Sequence, residues 1–81
     1  MEQKVKQDRK IVIGYNIRRI RLSLQMKQVE LVRMFQLQGV SLTRETLVKI
    51  ERGTHHISAT QLQCFRDCLQ TSYEELLKET V

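Results

Sequence analysis

Residues 44–52, Arg-Glu-Thr-Leu-Val-Lys-Ile-Glu-Arg, carry the side chains best suited to chemistry in this 81-residue chain. On a helix with Arg44 set at zero, Val48, Arg52, Glu45 and Lys49 fall at roughly 40°, 80°, 100° and 140° around the axis. Thr46, Ile50 and Leu47 fall at about 200°, 240° and 300°. One side is apolar enough to dock on a core, and the other presents cations and a carboxylate around a single valine. That chemistry is recognition. Arginine or lysine donates to guanine O6 and N7, glutamate accepts from cytosine N4, and valine meets a thymine methyl. Arg44, Glu45, Val48 and Lys49 are therefore candidates for reading base edges in a DNA major groove. The same layout also describes an ordinary solvated face, and an acid such as Glu45 in a first turn favours the helix dipole in any case.

A segment of this kind has to be started, stopped and held. Thr43 has cap chemistry, and Gly53 suits the end of the helix. Before it, residues 28–38 predict a helix that buries Leu31, Val32 and Phe35 and stops at Gly39, with Val40-Ser41-Leu42 as a connector and Leu42 pinned to the core. Residues 9–24 predict a first helix, with Ile13, Ile17, Ile20 and Leu24 in one stripe and Asp8 as its cap. Ser58 with Gln61, and Ser72 with Glu75, match the capping-box pattern and predict helices over 59–69 and 73–78. Residues 1–8 are mostly polar and read as a flexible N-terminal arm. Residues 9–81 then form one all-α domain, a five-helix bundle.

The totals narrow the partner. Net charge is +5, with a sequence pI near 9.6. That balance favours a polyanion, nucleic acid before membrane. No stretch approaches the roughly 20 apolar residues of a membrane span, and the stripe of the first helix is narrow, lacks aromatics and is needed by the core. No Walker loop, zinc-protease motif, GxSxG elbow or Ser/His/Asp set is present. His55, His56, Cys64 and Cys68 match no standard zinc spacing. The two thiols lie one turn apart and read as small buried residues, and His55 as a loop residue near phosphate. The expectation is a cytoplasmic protein with no catalytic site, no metal and no cofactor.

The string from Ile13 to Leu77 also resembles a known family. Ile13-Gly14-Tyr15-Asn16-Ile17-Arg18-Arg19-Ile20-Arg21 is similar to the first helix of the XRE family, the phage repressor and Cro-type helix-turn-helix proteins. Met26-Lys27-Gln28-Val29-Glu30-Leu31-Val32 is similar to the opening of its second helix. Thr43 to Gly53 resembles its recognition helix, which ends in Ile-Glu-x-Gly. Leu62, Phe65, Leu69 and Tyr73-Glu74-Glu75-Leu76-Leu77 fit its last two helices. Three features depart from the pattern. The stretch from Phe35 to Leu42 is longer than in the compact form, with Gln36-Leu37-Gln38-Gly39-Val40 resembling a Gly-containing extension. Val32 stands where Ala is usual, and Arg66 replaces a commonly small residue.

The resemblance implies a lambda-repressor-like fold in which helices two and three form the helix-turn-helix. It implies that Gln28, Thr43 and Arg52 meet backbone phosphates, with the base-reading set as above, and that Arg21 and Glu51 form a partly buried pair. It also implies a sequence-specific transcriptional regulator, a repressor, that binds a palindromic operator in double-stranded DNA as a homodimer. Tyr73, Leu77 and Val81 are the candidates for the dimer contact. The alternatives are an antitoxin-like or adaptor module whose main partner is another protein, and a restriction-controller regulator.

Overall fold

Short-range side-chain chemistry sets most of the element starts. The structure is a computed structural model that describes residues 4–81. Thr43, Ser58 and Ser72 accept from the backbone N–H of Thr46, Gln61 and Glu75, so each ties down the first turn of its helix. Gln61 returns a bond to the Ser58 N–H and completes a capping box. At Ser72 only the serine half forms, because the Glu75 carboxylate reaches Arg19 instead. Lys27 has no acceptor to offer, yet Glu30 accepts from its backbone N–H at 3.0 Å.

In chain order the elements are β1 (Lys4–Val5), α1 (Ile13–Ser23), α2 (Gln28–Leu37), α3 (Arg44–Glu51), β2 (Ile57–Ser58), α4 (Ala59–Cys68) and α5 (Tyr73–Leu76). The helices α1 to α4 all end in the same way. The residue after each C-cap has a positive φ, at Gln25, Gly39, Gly53 and Gln70. Paired bonds such as Val40 N–H to Phe35 O and Thr54 N–H to Lys49 O close the last turn, which is a Schellman motif.

The core is one cluster that draws on every helix. Ile13, Ile17 and Ile20 of α1 meet Leu31 and Phe35 of α2, Leu47 and Ile50 of α3, Leu62 and Phe65 of α4, and Leu76 of α5. Phe35 and Phe65 lie at 4.6 Å between ring centroids, tilted by 59°. Leu42 is buried, as its position in the connector leads one to expect, and Val32 packs at the core edge. Cys64 and Cys68 are free, buried thiols with 3.7 Å between their sulfurs.

Three expectations change. The first helix starts at Ile13 rather than near residue 9, and Asp8 does not cap it. The Asp8 carboxylate accepts from Lys10 and Ile11 N–H in a turn of its own. Leu24 falls outside the buried stripe, at 48% exposure, because the helix has already turned into its C-cap there. The expected arm over residues 1–8 is in its described part a docked segment, while residues 1–3 lie outside the described residues. Lys4 and Val5 pair antiparallel with Ser58 and Ile57. Among the described residues no helix is long and apolar enough to cross a membrane.

Candidate nucleic-acid interface

The outer side of α3 is built from behind. Leu47 and Ile50 carry no solvent exposure, and Glu51 keeps 4%. A carboxylate so placed requires partners. It has them: Arg21 donates from Nε and Nη2 to Oε2 and Oε1 at 2.7 and 2.9 Å, a bidentate pair. Gln28 Nε2 donates to Oε1 at 3.0 Å, and the remaining Arg21 donor, Nη1, reaches Met26 O at 2.8 Å. One cluster therefore joins α1, the turn after it, the first residue of α2 and the end of α3. The expected Arg21–Glu51 pair is present and fully bonded. Gln28, expected at a phosphate, here directs its side chain to Glu51 and so braces the end of α3.

Two further contacts fix α3, and neither has a local sequence signal. Gly14 lets the backbones of α1 and α3 meet, since a Cβ there would stand 1.6 Å from the Ile50 carbonyl oxygen. Gln7, on the docked N-terminal segment, donates to Ile50 O at 3.0 Å and His55 O at 2.7 Å while accepting from Gly14 N–H at 2.6 Å. Asn16, in the same first turn of α1, does similar work toward the C-terminal segment, donating to Leu76 O and Lys78 O. These donors answer carbonyls far away in sequence, so no spacing rule reveals them.

Held in this way, α3 turns Arg44, Glu45 and Lys49 outward. All three are exposed, Val48 is half-buried between them, and Arg52 at the C-cap is exposed. None of Arg44, Lys49 and Arg52 forms an ion pair among the described residues. Four acids are committed elsewhere, in Lys10–Glu79, Arg19–Glu75, Arg21–Glu51 and Arg66–Asp67, and Glu45 on α3 forms no ion pair among the described residues. Thr43 spends its hydroxyl on the cap and on Thr46 Oγ1. A concave surface runs from α3 across to α1, with Gln28, Val48 and Arg52 in its lining. His55 lies apart from it, stacked on His56 at 4.7 Å and facing a second concavity with Lys6 and Thr54.

Tyr73, Leu77 and Val81 are 37%, 38% and 91% exposed, so the candidate dimer residues are accessible. The Arg66 guanidinium caps the Tyr73 ring at 4.7 Å and also pairs with Asp67, which explains how a long cation is accommodated at a usually small position. Among the described residues no group of three or more His, Cys, Asp or Glu side chains is placed to hold a metal ion.

No protein-family model matches the chain, and a search of curated proteins finds no match. Solved structures do match. The hypothetical transcription factor NHTF from Neisseria is 25% identical with a TM-score of 0.71, over 90% of this chain and 78% of that one. The restriction-modification controller protein C.AhdI from Aeromonas hydrophila is 21% identical with a TM-score of 0.67, over 82% of this chain and 92% of its own. The controller protein C.Esp1396I is 25% identical with a TM-score of 0.66, over 83% and 85%. In its fold and the order of its elements the chain is similar to these helix-turn-helix regulators, and its pattern from Ile13 to Leu77 resembles the XRE type.

Proposed function

We propose that the chain is a non-enzymatic, cytoplasmic regulator of transcription, a repressor, that binds duplex DNA by placing α3 in the major groove. The observation that carries this reading is the unpaired exposure of Arg44 and Lys49 on a helix braced from behind by buried polar bonds. Arg44, Glu45, Val48 and Lys49 read base edges. Gln28 and Thr43 at two helix starts, with Arg52 and His55, hold phosphates, where a helix N-terminus already favours an anion. One helix reads few base pairs, so a homodimer on half-sites about one DNA turn apart supplies the missing specificity. Tyr73, Leu77 and Val81 form the contact between its copies.

A restriction-modification controller is the second reading, favoured by two of the matching structures. It uses the same interface. Selection from a random duplex library tests the reading. Recovery of a two-fold symmetric consensus is the expected result, and no enrichment over the starting pool would overturn it.

A further inference from the structure

We propose that α1 carries a phosphate-binding site of its own, formed by Arg18 and Tyr15 opposite Arg52, which grips the DNA backbone beside the groove that α3 enters. The inference rests on the duplex-binding reading above and extends its footprint to a helix outside the helix-turn-helix.

The site is a cleft of about 660 Å³ between α1 and α3. Arg18 and Tyr15 line it from α1, and Arg52 and Val48 from the α3 side. Both arginines are exposed and have no ion pair among the described residues. The one acid in the cleft is Glu51, whose carboxylate is already neutralised by the bidentate Arg21 and bonded by Gln28. The net charge of the cleft is therefore positive and comes from the arginines that line it. Tyr15 is 53% exposed, and its hydroxyl makes no hydrogen bond among the described residues, so a donor stands ready at the rim. Arginine and tyrosine are among the side chains that hold phosphate oxygens in protein–DNA complexes.

Position decides which phosphate is meant. Arg18 and Gln28 are shared with an adjoining concavity that reaches Lys27 and Arg44. The cationic surface is thus continuous from the base-reading residue Arg44, past the α2 start, to Arg18. A duplex seated on α3 brings its backbone along that line. A phosphorylated small molecule would use the same oxygens, and ATP serves as the probe for that source.

The test compares Arg18→Gln with Lys10→Gln, which removes equal charge from the exposed Lys10–Glu79 pair. Affinity for a selected duplex is measured against salt, with ethylation interference on the bound DNA. Arg18→Gln should lower the slope of log K against log salt by about 0.9, the value for one lost phosphate contact, and erase one interfering phosphate per half-site. Lys10→Gln should leave both unchanged, and neither variant should shift the melting temperature. If the wild type binds duplex but the two variants share its slope and footprint, this site is refuted and the main reading stands. If the wild type binds no duplex, both fall. If ATP competes with duplex through Arg18 while the footprint is intact in Arg18→Gln, the ligand is a free phosphate compound and the backbone assignment is wrong.

Discussion

Single residues show how much of the candidate site depends on buried atoms behind its exposed face. Glu51 accepts three hydrogen bonds in a place with almost no solvent, so its partners are stranded when it is removed. Glu51→Ala should cost about 3 kcal/mol in a denaturant titration, since an unpaired buried guanidinium is left behind. A loss under about 0.5 kcal/mol would mean that Arg21 finds water instead. The thiols make a different prediction. Burial, followed by the bond to Cys68, pushes the Cys64 thiol up to about 12, and burial raises Cys68 as well. The folded chain thus prefers the neutral thiols. Their contribution is complete below the unfolded value of 9.0 and is lost as pH rises through the folded value. The urea midpoint should fall above pH 9.0 in the wild type and fall less in a Cys64→Ala/Cys68→Ala variant. Equal alkaline slopes would contradict this. The Arg21–Glu51 pair was legible through the family resemblance, and helix geometry permits it, since each residue borders the apolar side of its own helix. Gln7, Gly14 and Asn16 were not, because their partners are backbone atoms brought close only by the finished fold.

At the scale of elements, the sequence was most informative where a rule acts within four residues. Thr43, Ser58 and Ser72 open helices, and Gly39 and Gly53 end them, at the positions their chemistry indicates. It was least informative where pairing is distant. Two-residue strands have no periodicity, so the β1–β2 pairing, with Ile57 fully buried beneath it, left no signal. The start of α1 was placed too early because Arg9 to Val12 contain apolar residues at tolerable spacing but run outside the helix to Ile13. Gln25 and Gln70 end their helices with φ of 55° and 50°, a region that costs a residue with a Cβ about 1 kcal/mol. Gln70→Gly should therefore raise stability by roughly 0.5–1 kcal/mol in thermal unfolding, the gain expected when the left-handed cap residue loses its Cβ. A destabilised variant would show that the Gln70 side chain contributes more than its backbone strain costs.

At the scale of the whole molecule, the exposed ion pairs lie away from α3. The surface ion pairs involve α1 with α5, the α4 pair Arg66–Asp67, and the N-terminal Lys10 with Glu79, whereas the cations of α3 are left open. Part of the net charge of +5 thus lies open on α3, which composition alone could not reveal. The exposed apolar residues at the C-terminal end carry the dimer proposal. Leu77→Glu should weaken binding to a two-half-site duplex while leaving half-site binding unchanged, as judged by gel-shift titration. Equal affinity for the full site in variant and wild type would remove Leu77 from the interface.

The central claim is that the outward side of α3 lies in a major groove. Methylation of guanine N7 places a methyl group on that groove and nowhere else on the pair. On duplexes recovered by selection, N7 methylation should block binding at specific guanines, and Arg44→Ala should abolish the block at one of them in each half-site. Tight duplex binding that ignores N7 methylation at every guanine of the site would contradict the account.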